Sequence, residues 1–91
     1  MDKNSIERLL LFIKSSKDII SNEAYSEVWH YYEHEEYEMA FEGLLIEFIQ
    51  EDKYPRDFEK AEWKTLGIEF GLDNNSVFDP DIWNKFISWI K

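Results

Sequence analysis

Apolar residues recur along this 91-residue chain at the spacing of an α-helix, and nowhere alternate for long at the spacing of a strand. Ile6, Leu9, Leu10 and Ile13 follow the i, i+3, i+4, i+7 pattern that lines one helix face. Asn4 or Ser5 is placed to cap that helix, with Glu7 three residues beyond Asn4. Lys14 and Lys17 suit the negative end of its dipole, and the helix is expected to end near Ser21. Asn22 is the next capping residue, ahead of Tyr25, Val28, Trp29 and Tyr32 at the same spacing. A third run holds Tyr37, Ala40, Phe41, Leu44, Leu45 and Phe48. Tyr32 and Tyr37 are five residues apart, about 500° of helical rotation, so the apolar face jumps and a break is expected across Glu33 to Glu36. Gly43 falls on the expected polar side of the third helix.

Pro55 suits a helix N-terminus, and a fourth segment is expected from about Arg56 to Phe70, with Gly71 as its C-terminal stop. Its apolar residues share no single stripe. The stretch LDNNSVFD reads as a loop. Asp79, Pro80 and Asp81 then open a last helix lined by Ile82, Trp83, Phe86, Ile87 and Ile90. The expectation is an all-α fold, a compact bundle of four to five short helices forming one domain over residues 1–91. For 11.1 kDa, surface scaling gives about 5,600 Å² folded, against roughly 16,000 Å² for the extended chain. With a hydrophobic fraction of 44 %, the chain has the apolar material to fill such a core. There is no cysteine, which excludes a disulfide scaffold and a thiolate metal site.

Charge narrows the function. Twenty acids stand against ten bases, a net charge of −10. Such a field repels phosphate backbones and anionic headgroups, so the expected partner is a basic protein, with no direct nucleic acid and no membrane. The apolar run Leu9 to Ile13 is too short for a signal or a membrane span, and the chain is expected to be soluble and cytoplasmic. The acids are also sorted. Between Asp18 and Asp52 there are eleven acids and neither Lys nor Arg. Glu23/Glu27, Glu38/Glu42 and Glu47/Glu51 are like-charge i, i+4 pairs, each unfavourable by a few tenths of a kcal/mol. A helix selected only for solubility mixes signs; a one-sign surface steers a cationic partner. Tyr31 points away from the Trp29/Tyr32 stripe and is expected as an exposed anchor among carboxylates. The expected partner-binding set is Glu27, Tyr31, Glu33, His34, Glu35, Glu36, Glu38 and Glu42.

His30, Glu33 and His34 match the H-x-x-E-H pattern in which two imidazoles hold Zn²⁺ and the carboxylate serves as base. A catalytic zinc needs a third protein ligand and a cleft, the match rests on three positions in a Glu-rich stretch, and it crosses the expected helix break. Two surface histidines is the preferred reading, and whether they bind metal stays open. No nucleophile elbow and no glycine-rich phosphate loop is present, and neither a catalytic role nor a cofactor is expected.

The central stretch EVWHYYEHEEYEMAFEGLLIEFI, residues 27 to 49, resembles small immunity proteins of bacterial contact-dependent inhibition and Maf-type toxin systems. The shared features are a Trp/Tyr-Tyr pair, an acidic His-containing turn, and Glu-Tyr-Glu-Met-Ala-Phe-Glu-Gly-Leu. The resemblance implies a cognate toxin domain, usually a nuclease and often a ribonuclease, bound one-to-one by a monomer that neutralises it. An acidic helical adaptor, or a DNA-mimic regulator, is the alternative that the charge pattern serves equally.

Overall fold

A computed structural model describes residues 2–91. Among them five helices form, α1 (Lys3–Ser15), α2 (Asn22–Glu33), α3 (Tyr37–Glu51), α4 (Lys60–Glu69) and α5 (Ile82–Trp89), and no strand. The all-α expectation holds. The accessible surface is 5622 Å², as the chain's mass requires. No helix is long and apolar enough to cross a membrane.

α1 begins earlier than expected because Asp2, not Asn4 or Ser5, is its cap: the Asp2 carboxylate accepts from the Asn4 N–H at 3.3 Å. Its buried face is Ser5, Leu9, Phe12, Ile13 and, one turn on, Ser16; of the expected stripe Leu9 and Ile13 are buried, while Ile6 and Leu10 are half-buried, so the face is rotated toward Ser5 and Phe12. The two serines sit inside because their hydroxyls are satisfied. Ser16 donates to the Phe12 carbonyl at 2.8 Å, and Ser5 donates to the Glu69 carboxylate of α4. The helix stops at Ser15, six residues short of Ser21, which instead caps α2 by accepting from the Ala24 N–H at 3.1 Å.

α2, α3 and α4 end in the same hydrogen-bonded turn, in which two N–H groups past the helix reach back to its last free carbonyls. At the end of α2, Glu35 and Glu36 donate to Tyr32 and Tyr31; after α3, Asp52 and Lys53 donate to Ile49 and Phe48; after α4, Gly71 and Leu72 donate to Ile68 and Gly67. The geometry places the first residue of each pair at positive φ: Glu35 at 60°, Asp52 at 54° and Gly71 at 80°. The expected break at Glu33 to Glu36 is therefore a real helix stop, made by an acid where glycine is usual.

α3 is the central helix, packing on α1, α2 and α5 and burying Ala40, Phe41, Leu44, Leu45 and Phe48. Around it Trp63 of α4 stacks on Phe12 at 4.2 Å and lies 5.5 Å from Phe41. α4 starts four residues later than expected: Pro55 is buried in a turn, its carbonyl accepting from the Phe58 N–H, rather than opening the helix. A Cβ on Gly67 would lie 2.5 Å from Cζ3 of Trp83 and 3.1 Å from Phe41, so the α4–α5 crossing requires the missing side chain. At α5, Asp79 acts as the expected cap, its carboxylate accepting from the Asp81 N–H at 2.9 Å, though the regular helix begins only at Ile82.

Candidate functional site

α2 and α3, joined by three residues, pack as a hairpin. Tyr32 meets Tyr37 at 5.4 Å near the turn, and Val28 faces Gly43 further out. Gly43 therefore lies in the α2–α3 contact, not on a polar side as expected: a Cβ there would meet Cγ2 of Val28 at 3.3 Å. Most of the acid-rich stretch is on this hairpin. The ion pairs among the described residues, Arg8–Glu69 at 3.3 Å and Lys85–Asp79 at 2.7 Å, involve neither helix, so the hairpin's carboxylates are not neutralised by the chain's own cations.

The expected partner-binding residues separate into three groups. Glu33, His34, Glu35 and Glu36 are exposed around the helix stop, and Glu38 is half-buried beside them. His34 is tied back: its Nδ1 lies 2.9 Å from the His30 carbonyl oxygen and its ring 4.2 Å from the His30 ring. Among the described residues no three metal-ligating side chains come together, so Glu33 does not complete a site with the two imidazoles.

Glu27 and Tyr31 form a second group, and Tyr31 differs from expectation. It is half-buried rather than free, its hydroxyl donating to Glu27 Oε1 at 3.1 Å and its ring 5.7 Å from Phe78. Burial, then the bond to Glu27 and the charges of Glu27 and Glu36, raise its hydroxyl pKa.

Glu42 stands alone and is a correction. It is completely buried, and its carboxylate accepts three backbone N–H bonds, from Val77 at 2.7 Å, Phe78 at 3.0 Å and Asp79 at 2.8 Å. A side chain so engaged is not available to a partner. Its role is to clasp the loop before α5 onto α3. That clasp presents Val77 and Phe78 outward, 52 % and 44 % exposed, beside Tyr31.

The structure also assembles a groove that the sequence did not reveal as a site. Ala24 and Val28 of α2 with Gly43 and Ile46 of α3 form its apolar lining; Glu27, Glu47, Tyr31 and Phe78 complete it, around about 130 Å³. Burial, followed by the charges of Glu51 and Glu27, raises the pKa of Glu47. Two signals were present in the sequence. Gly43 interrupts a helix, which marks a close approach, and Glu47 adjoins the apolar residues Ile46 and Phe48. Phe78, in a stretch read only as loop, gave none. Comparison with known protein families, characterised proteins and solved structures finds no match to the chain.

Proposed function

We propose that this chain is an immunity protein that binds a cognate nuclease toxin domain, an RNase being the expected activity, and neutralises it through the acidic α2–α3 hairpin. The observation that carries the reading is the hairpin's set of carboxylates without internal cations. A nuclease grips phosphates with Lys and Arg; an array of carboxylates presented to that surface occupies it and excludes nucleic acid. The resemblance of residues 27 to 49 to contact-dependent and Maf-type immunity proteins supports the same reading. An inhibitor of a lethal enzyme needs a Kd at or below ~1 nM, about −12 kcal/mol. Charge steering raises the association rate, while desolvated rings slow dissociation.

A DNA-mimic regulator would use the same carboxylates. The partly exposed Val77 and Phe78 beside Tyr31 favour a protein partner with apolar surface of its own, since phosphate mimicry makes no use of them. Growth rescue tests the proposal. The C-terminal domain encoded by the gene immediately upstream is expressed with and without this chain. Growth arrest by that domain, relieved by this chain alone, is the expected result. A domain that is harmless, or that still kills beside the folded chain, overturns the reading. Binding of several DNA-binding proteins, released by competing DNA, would establish the mimic instead.

A further inference from the structure

We propose that the α2–α3 groove is the seat of a single arginine side chain from the basic partner. The inference rests on the reading above only in taking that partner to be a basic protein. Three features of the groove select the occupant. The first is charge: Glu27 on α2 and Glu47 on α3 line one cavity, and each contributes to an uncompensated negative field there. They are near enough for the Glu27 charge to raise the Glu47 pKa. A cation placed between them relieves that repulsion, which no neutral or anionic side chain does.

The second is shape. The cavity between the two helices is about 130 Å³. A long side chain can enter it end-on between the packed helices. Gly43, which contributes no side chain, and Val28 make the lining apolar, suited to the methylenes of a long stem whose charged end lies at the rim.

The third distinguishes arginine from lysine. Tyr31 and Phe78 bring two rings to the groove, their planes 39° apart. A guanidinium stacks its plane on such rings while its edge donors reach carboxylates, and an ammonium, a hydrated point charge, does neither as well. Tyr31 also orients the receiving group: its hydroxyl donates to Glu27 Oε1 and leaves Oε2 for the ligand.

The test uses the whole chain, ¹⁵N-labelled, titrated with n-butylguanidine and separately with n-pentylamine. Each carries one cation on an apolar stem. The expected result is amide shifts centred on Ala24, Gly43 and Phe78, with n-butylguanidine binding at least threefold more tightly. The Glu27→Gln/Glu47→Gln double variant should weaken that binding at least tenfold without loss of thermal stability, because neutralising Glu47 removes a repulsion. Shifts centred instead on Glu33 to Glu38, or equal binding by the double variant, would overturn the assignment.

The same variant separates this inference from the proposed function. If wild type and double variant rescue growth equally, and n-butylguanidine leaves Gly43 unmoved, the groove has no such role and the immunity reading stands. If wild type fails to rescue while n-butylguanidine still binds through Glu27 and Glu47, the groove stands and the immunity reading falls.

Discussion

Replacing Glu42 by glutamine should remove about 3–5 kcal/mol of folding stability, although the change is isosteric and deletes no apolar atom. The carboxylate accepts Val77 N–H on Oε1, and Phe78 and Asp79 N–H on Oε2. Hydrogen bonds to a charged group each contribute about 1.5–3 kcal/mol. Glutamine keeps one oxygen, which retains the Phe78 and Asp79 bonds as neutral ones at roughly half their strength. Its amide nitrogen then faces the Val77 N–H, donor against donor, and an orphaned buried donor costs about 1–3 kcal/mol. A 91-residue domain has about 5–14 kcal/mol in total, so at least about a fifth of the stability is at stake. At about 4–8 °C per kcal/mol, Tm falls by at least about 12 °C. Urea and thermal unfolding followed by tryptophan fluorescence measure the loss, with Glu33→Gln as an exposed control expected within about 0.5 kcal/mol. Amide exchange at Val77, Phe78 and Asp79 should accelerate along with it. A loss under 1 kcal/mol, with those amides still protected, would show that the loop is held by something other than this carboxylate.

Glu35→Gly should stabilise the chain by about 1 kcal/mol, because the left-handed backbone at φ 60° strains any side chain and glycine relieves it; chemical denaturation showing a loss would refute the assignment of that turn. Gly67→Ala should destabilise by about 1–3 kcal/mol, since its Cβ would overlap the Trp83 ring, and unchanged unfolding would mean that α4 and α5 separate easily. For Glu47 the folded-state pKa lies above the ordinary 4.5, so the folded form binds the proton more tightly and stability declines as pH rises from about that value through the folded pKa. Glu47→Gln should flatten that part of the pH–stability curve and leave the neutral-pH protein at least as stable; a steeper curve would reverse the sign of the argument. Finally, raising NaCl from 0.1 to 0.5 M should stabilise the free chain and weaken its complex, because screening acts on self-repulsion and on partner attraction alike. A complex tightened by salt would count against charge as the basis of recognition.

Helix identity was legible from spacing because amphipathic burial dominates the energetics, and the stop at Gly71 was legible because glycine is the ordinary residue for that backbone. The stop at Asp52 was not, and near Glu35 only the break was legible, from the jump of the apolar face between Tyr32 and Tyr37; that an acid takes the left-handed position at both contradicts the usual preference. Asp52 has a second engagement, accepting from Trp89 Nε1–H at 2.9 Å across 37 residues of sequence. Buried polar groups set the other limit. Ser5 and Ser16 look like surface residues until Glu69 and the Phe12 carbonyl are seen beside them, which shifts the buried face of α1 away from Ile6 and Leu10. Glu42 is the extreme instance: nothing in its neighbours announces burial, because its partners are backbone amides 35 to 37 residues away. The acidic corner around Glu33 to Glu36 needed no such long-range knowledge, as exposure follows from the turn itself.

The chain thus divides its acids between two uses, and the division connects the fold to its proposed role. Asp2, Glu42, Asp52, Glu69 and Asp79 each accept hydrogen bonds that cap a helix, clasp a loop or join two elements. Glu23, Glu33, Glu35, Glu36 and Glu51, exposed on or beside the α2–α3 hairpin, repel one another without such compensation. Glu27, half committed through its bond to Tyr31, stands at the boundary. Repulsion within the hairpin is tolerable because α3 is anchored from its other side, by Phe41 and Phe48 against Trp63 and by Glu42 in the α5 loop. The clasp also determines where Phe78 sits, and Phe78 is one wall of the groove. The stability lost to the unpaired acids would be recovered on meeting a cationic surface, which makes the same repulsion a source of affinity for a basic partner.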